Sequence, residues 1–548
     1  MPQYYLFSDS EISGIPRIWR LYFLQYGRMR KQDWLALGAV CLLALGLRAP
    51  IAGIFLERDE GGYAYVAQRW LKGEVPYRQS FDQKPPGVYA AYAVIERLST
   101  GSPAAIHWGA QFYTLLTLCL VFLIGRRLFG LEAGLAAAAL AAFMTADHCL
   151  LGNAANSETF MLLPLAAAFL AALLAKERDS WHWAMACGAC AGLSMLFKQV
   201  AMTDAVFCLA LMMMNRSWRR RGIIAASFIA AAFAVWVPVI AYFGAKGAWS
   251  QFFDCIVGYN LSYAGGIPLS EYLRNFWTTF SRTLPGLLPI YLLALAGGVW
   301  QAGPAVPWVI GWLAFSFLGA CPGGFFRAHY YQQAVPALAV LAGSAITGLS
   351  QRLRLPRAAA YVCAAAVVLF GVLSGSWYYG RASDVVKCRR LYQNNPFPEA
   401  TGVAHVISES TTDKDEVFVF GSEPEILYYA GRKSATRYIY LYPLFLASPG
   451  AAARQQEVLA EVRVAKPKTI VTVFVRMSFL RDAGSPAGIF GEVQDILKGY
   501  HIQAVVLSNP HNPTQLFIGP AAQDMWGKYP MWYDHPFWGT LAIWERNE

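Results

Sequence analysis

The chain has 548 residues, of which 56% are hydrophobic, 15% aromatic and only 14% charged. Its mean hydropathy of +0.35 excludes an ordinary soluble globule. The formal net charge of +11 would suit a nucleic-acid binder, but Lys and Arg fall in short clusters between apolar runs, which is a topology pattern and excludes nucleic acid as the partner.

A bilayer takes roughly 20 mostly apolar residues per helix, and about eleven such windows precede residue 380. Arg17, Arg20, Arg28, Arg30 and Lys31 place the N-terminal tail in the cytoplasm by the positive-inside rule. No cleavable signal is expected there, so the first span, Trp34 to Phe55, reads as a signal anchor. It delivers "LERDEGGYAYVAQRW" to the outer face, where Tyr63, Val66, Ala67, Trp70 and Leu71 have the spacing of a short amphipathic helix lying in the interface. Asp59 then reads as an N-cap and Glu60 as a first-turn acid, or the pair as carboxylates held at the membrane mouth for general-base or metal chemistry.

The same outward loop continues through "FDQKPPGVYAAY". Pro85-Pro86 stiffens the turn into the next helix and leaves Asp82 and Lys84 beside the interface. Lys84 reads either as a point charge for a lipid phosphate or as a snorkelling anchor. A second span, Ala105 to Ile124, returns to Arg126-Arg127, and a third emerges at "TADHCLLGNAANSE" with Asp147, His148 and Glu158. The fourth ends at Lys176 and Arg178, the fifth and sixth flank Lys198-Gln199, and "NRSWRRR" is the strongest inside signal. "CGAC", Cys187 to Cys190, reads as small-residue packing within a helix.

A seventh span, Ile223 to Phe243, leads to a polar-aromatic outward loop expected over residues 244 to 282. Spans eight and nine are joined at "QAGPAVP", and the ninth reaches "CPGGFFRAHYYQQAVP", which carries Arg327, His329 and Tyr330. Arg327 suits a phosphate and His329 a phosphate or a metal, or the cluster is an aromatic belt with a cation. The tenth span ends at Arg352, Arg354 and Arg357, and the eleventh leaves residues 381–548 outside. The expected organisation is a polytopic α-helical membrane domain over 1–380 and an extracytoplasmic α/β domain over 381–548. "DEVFVFGS" and "PKTIVTVFV" read as strands, and "GEVQDILKGYHIQAVVL" as a helix followed by a strand. Cys149, Cys255, Cys321 and Cys388 fall near outward loops, where a disulfide among them is open.

Three outward loops therefore bring acids, a lysine, an arginine and a histidine to one side of the membrane. These residues resemble the GT-C superfamily of polyprenyl-phosphate-sugar-dependent glycosyltransferases, in particular the branch of the protein O-mannosyltransferases and the lipid A aminoarabinose transferase. Asp59-Glu60 matches the acidic motif of the first outward loop, "DQKPPG" a Lys-Pro-Pro element, Asp147-His148 and Glu158 a second acidic loop, and "RAHYYQQAVP" an "HYY"-like motif before a late span. "GSEPEILYYAGRKSATRYIYLYP" resembles the outward domain of bacterial members.

The resemblance implies a GT-C fold in the inner (plasma) membrane, with the active site and C-terminal domain on the periplasmic side. It implies an inverting transfer from a polyprenyl-phosphate sugar to an acceptor hydroxyl on a lipid, polysaccharide or protein. Asp59 would act as base, with Glu60 beside it, and Lys84, Arg327, His329 and Tyr330 would hold the donor phosphate. Arg58, Tyr63 and Asp82 would support them. A divalent metal on Asp59, Asp147 and His148 stays open; Gln83 stands where some relatives have Glu or His, and a neutral amide is a poor ligand. The rival class is a transporter or flippase of lipid-linked sugars, for which midplane ionisable residues and paired broken helices are expected.

Overall fold

A computed structural model describes residues 30–547 except 100, 264–266, 302, 446–449, 482–483, 510–511 and 529–539. Arg17, Arg20 and Arg28 of the expected cytoplasmic tail lie outside the described residues.

Among the described residues, six helices are long and apolar enough to cross a membrane: Lys31–Ile51, Pro103–Phe129, Ser157–Arg178, Trp218–Ala245, Leu269–Trp300 and Ala328–Arg352. Leu131–Met144, Gln199–Met213, Val306–Gly319 and Ala358–Ser374 are apolar but shorter, and Trp181–Met195 completes the helical framework. Burial separates centre from rim. The apolar windows of Ser157–Arg178 and Ala328–Arg352 are 83% and 78% buried, whereas that of Trp218–Ala245 is 11% buried. Trp218–Ala245 therefore presents exposed Ile229, Phe233 and Val237 outward, as a lipid-facing helix must. Small residues let the inner helices approach. Gly343 sits against the Ala133 carbonyl and Ala137, and Gly188 of "CGAC" against the Phe228 backbone, so that segment is packing.

The expected loop over residues 244 to 282 is shorter than its polarity implied. Trp249–Phe253, a π-helical turn at Asp254–Gly258 and Tyr259–Tyr263 are helical, and the next long helix starts at Leu269. Its polar first turns, "LSEYLRNFWTTFSR", extend the apolar helix instead of preceding it, and the helix runs on through Pro285 and Pro289.

The C-terminal portion builds a six-stranded sheet in the order β2-β1-β3-β6-β4-β5. The strands are β1 Glu416–Phe420, β2 Lys433–Ser434, β3 Thr469–Phe474, β4 Tyr500–Asn509, β5 Asn512–Ile518 and β6 Thr540–Arg546. β1 pairs in parallel with β2 and β3, while β3–β6, β6–β4 and β4–β5 are antiparallel. Crossover helices Pro424–Ala430 and Ala451–Ala465 make the parallel pairings possible, and β3 is buried along its whole length, as a central strand rich in Val, Ile and Thr should be. All ten cysteines are free, so the disulfide left open among Cys149, Cys255, Cys321 and Cys388 is not formed.

Candidate active site

The expected surface helix is in fact the Arg58–Leu71 helix, buried over Glu60 to Ala67. Its N-cap is Glu57, not Asp59. Glu57 and Glu60 form a reciprocal capping box, with the Glu57 amide donating to Glu60 Oε2 at 3.2 Å. Successive residues are about 100° apart around a helix, so Arg58, Asp59 and Glu60 leave in three directions. Arg58 reaches the C-terminal portion, where its Nε donates to the Ser422 carbonyl at 2.6 Å and Nη2 to Glu423 Oε1 at 2.8 Å. Glu60 is fully buried and accepts from the Ala155 amide at 2.6 Å, with His107 Nε2 at 2.9 Å from the same oxygen. Gly61 and Gly62 complete the turn by close approach. A Cβ on Gly61 would lie 2.7 Å from the Glu425 amide, and one on Gly62 would overlap the Tyr440 hydroxyl.

Asp59 is left facing Lys84. Its Oδ2 lies 3.4 Å from Lys84 Nζ and 3.5 Å from the Tyr63 hydroxyl, and the ammonium also sits 5.6 Å from the Tyr63 ring centre. The Lys-Pro-Pro loop is held by its backbone. Tyr77 and Tyr89 donate to the Lys84 carbonyl at 2.8 and 3.3 Å, and Gln199 and Asn260 donate to that of Gln83 at 3.2 and 3.0 Å. Tyr77 adopts φ +68°, a left-handed conformation unfavourable for an aromatic residue and kept here by its surroundings. Gly87 then starts the next helix against the Leu196 carbonyl, where a Cβ would sit 2.5 Å from the oxygen.

Burial acts to raise the Asp59 carboxyl, but Lys84, His329 and Lys198 outweigh it and hold it below its ordinary range. Burial acts to lower the Lys84 ammonium, and Asp59 and Asp82 overcome that and raise it. Asp82 is 4% exposed, with Oδ1 accepting from the Gln83 amide at 2.6 Å. Burial is the main reason its carboxyl is pushed up to about 6.

The two most buried spans both begin beside this pair. Glu158 opens the Ser157–Arg178 helix and is 1% exposed. It forms an ion pair with Lys198 and lies 3.9 Å from His329 Nε2. Lys198 Nζ sits 3.8 Å from the Tyr330 ring centre, so the ammonium is bracketed by a carboxylate and a π face. Lys198 was not singled out in the sequence. Its signal was a lone cation at a break between apolar helices, "LFKQV".

Not every expected residue joins this cluster. Arg327 is only partly buried, and its guanidinium sits 6.0 Å from the Phe325 ring centre. Asp147 and His148 form a second group. Asp147 is fully buried and caps the His148–Leu150 turn by accepting from the Cys149 amide at 2.8 Å. Its Oδ2 is 3.4 Å from His148 Nδ1, and the imidazole packs edge-on to Trp377 at 5.2 Å.

The metal candidates separate in the same way. Asp147, His148 and Cys149 bring ligand-type atoms within 4.8 Å of one another, a carboxylate, imidazole and thiol set that suits zinc better than magnesium. Asp59 does not fit a divalent cation, because it already faces an ammonium group and feels a second. Charge complementarity at Asp59, Lys84, Glu158 and Lys198 instead suits an anion arriving beside a carboxylate. That is a protein with many membrane-spanning helices, a buried charged centre at the head of its innermost helices, and a small mixed sheet packed over it.

The family model for dolichyl-phosphate-mannose-protein mannosyltransferases matches residues 83–242, the part that carries Lys84, Glu158 and Lys198. Among solved structures, ArnT from Cupriavidus metallidurans bound to undecaprenyl phosphate is similar in fold, with TM-score 0.53, 15% identity, and 81% of this chain and 93% of that chain covered. The apo state of the same protein gives TM-score 0.54 at 14% identity over the same shares. No curated protein matches the chain in sequence. The chain thus carries a segment that matches this family model and has a fold similar to that of ArnT.

Proposed function

We propose that the protein transfers a sugar from a polyprenyl-phosphate carrier to an acceptor hydroxyl at the outer face of the inner membrane. The observation that carries this reading is the contact of Asp59 with Lys84, electrostatically joined to Lys198 and His329. The ArnT structure bound to undecaprenyl phosphate supports the donor class. The basic clusters support an eleven-span topology with the N-terminus inside, the site outside, and residues 381–548 as an extracytoplasmic domain.

In the proposed step the acceptor hydroxyl gives its proton to Asp59 as its oxygen bonds to the anomeric carbon. The bond from that carbon to the phosphate oxygen breaks on the opposite face, so configuration inverts in one displacement and no second nucleophile is needed. The phosphate goes from a singly charged diester to a monoester with a further charge. Lys84 and Lys198 meet that developing charge, with His329 and Tyr330 beside them. A phosphate that engages Lys84 also withdraws the charge holding the Asp59 carboxyl down, so donor binding makes Asp59 a stronger base. Glu60 positions the helix, Glu158 orients Lys198, and Tyr63 fixes the Asp59–Lys84 pair. Arg327 serves the donor at the rim, and the Asp147–His148 group, with a metal if one is held there, lies to one side of the reacting atoms.

The test uses the full chain in proteoliposomes with a radiolabelled polyprenyl-phosphate sugar and membrane glycolipid and glycoprotein fractions as acceptors. Labelled acceptor together with released polyprenyl phosphate is the expected result. Movement of intact donor between leaflets without transfer would establish the transporter class instead.

A further inference from the structure

We propose that Arg58 and Glu423 form a positioning clamp through which the C-terminal domain sets the orientation of Asp59. The inference rests on Asp59 being the base, and it concerns what makes that base competent.

Arg58 precedes Asp59 on the same turn, and every strong partner of its guanidinium lies more than 330 residues away. These are the Ser422 carbonyl at 2.6 Å, Glu423 Oε1 at 2.8 Å and Asn395 Oδ1 at 3.0 Å, with the Phe397 ring centre 5.9 Å off. The pair is sealed: the Arg58 and Glu423 side chains are 12% and 0% exposed. A sealed, multiply bonded guanidinium has one orientation, unlike a surface ion pair free to rotate.

Glu423 is itself locked. Its Oε2 accepts from the Ser422 amide and the Ser478 hydroxyl, both at 2.7 Å. The Ser422 hydroxyl accepts from the amides of Leu441 and Tyr442 at 2.9 Å. This ties the loop after β1, "GSEPE", to the segment carrying Tyr440 and to the short helix that holds Ser478. The same helix face then presses two glycines on that unit, Gly61 against the Glu425 backbone and Gly62 against the Tyr440 ring. An ion pair on one residue and steric contacts three and four positions on define the rotation of the helix about its axis. Asp59, between them in sequence, can face Lys84 at 3.4 Å only at that rotation.

The clamp makes Arg58 and Glu423 positioning residues for catalysis, with no contact to the donor phosphate required. It predicts a split between kcat and KM that loss of folding does not produce. Arg58→Ala and Glu423→Gln, assayed as full chains on the monodisperse fraction, are expected to lower kcat about 10- to 100-fold, the cost of a misplacement near 1 Å. The donor KM should stay within about threefold, since the lysine cluster is untouched. Each residue acts through the other, so the double variant should be no slower than the slower single. Arg58→Lys should recover part of the rate. Ser478→Ala, which removes one bond to Glu423 and leaves the ion pair, serves as the mild variant should the others fail to fold, with an expected kcat loss of about threefold.

Wild-type kcat in the folded single variants, or in Ser478→Ala alone where the others do not fold, would overturn the clamp. So would losses that multiply in the double variant, or a donor KM that rises in step with the fall in kcat. Asp59→Asn in the same assay separates the two ideas: activity in that variant sinks the base, whereas inactivity there with full activity of the clamp variants sinks the clamp alone.

Discussion

Replacing Asp82 with Asn should stabilise the protein at neutral pH and strengthen donor binding together. The carboxyl is 4% exposed, and Oδ2 has no hydrogen-bond partner. Burial, with Asp59 adding to it, pushes the group from its ordinary 3.8 up to about 6, even though Lys84 and Tyr89 pull the other way. The folded state therefore binds a proton more readily than the unfolded chain between those two values. Stability is gained as pH falls through about 6 and is lost as pH rises through it. A difference near two units corresponds to about 3 kcal/mol of penalty on the ionised form above pH 7. The amide introduced by Asp82→Asn would retain an oxygen for the Gln83 amide and remove the charge. The assay is the melting temperature of wild type and Asp82→Asn between pH 4.5 and 8. The expected result is a variant more stable by a few degrees at pH 7.5, with the difference closing towards pH 4.5. Removing a negative charge beside Lys84 should also lower the donor KM several-fold at pH 7.5 but not at pH 5, because the donor phosphodiester keeps one charge throughout. Equal stability across the range, or a variant weaker at pH 7.5, would refute the account of Asp82.

Lys198→Met is expected to raise the donor KM at least tenfold and to lower kcat, because it removes a cation from the leaving phosphate and takes from Glu158 its lysine partner; steady-state transfer kinetics check both. Glu60→Gln should reduce thermal stability by about 2 to 4 kcal/mol, since the oxygen facing the Ala155 amide and His107 loses its charge, while the folded fraction keeps its donor KM; melting curves read beside kinetics test this. Gly62→Ala should lower both stability and kcat, because the new methyl overlaps Tyr440, and Gly62→Ala combined with Tyr440→Gly should recover a good part of each.

How much of this could be read from the sequence differs from element to element. Apolar windows set by bilayer thickness located the helices before residue 380, and alternating Val, Phe and Ile located β1 and β3. The start of the Leu269–Trp300 helix is not legible because hydropathy reports lipid contact, whereas this helix begins in polar turns ahead of its apolar part. Asp59 and Lys84 were legible because each stands at a polar break in an apolar chain. The N-cap was placed two residues late: Glu57 and Glu60 carry the box signature, but the more familiar capping residue, Asp59, drew the assignment. Asp147, His148 and Glu158 share one loop in sequence yet part in space, since the turn after Leu150 sends Glu158 to the head of a central helix. The partners of Arg58 and Gly62 were illegible for a plainer reason: they lie more than 300 residues further on, and no local pattern encodes such a contact.

The central claim is that Asp59 accepts the acceptor proton while Lys84 and Lys198 hold the phosphate that leaves. Asp59→Asn keeps the size of the side chain and the loop that it faces but cannot take a proton. Single-turnover transfer by the full chain in proteoliposomes, with binding of polyprenyl phosphate measured on the same preparation, tests the claim most directly. A rate reduced about 10² to 10⁴-fold with carrier binding retained is the predicted result. Transfer near the wild-type rate would contradict the account.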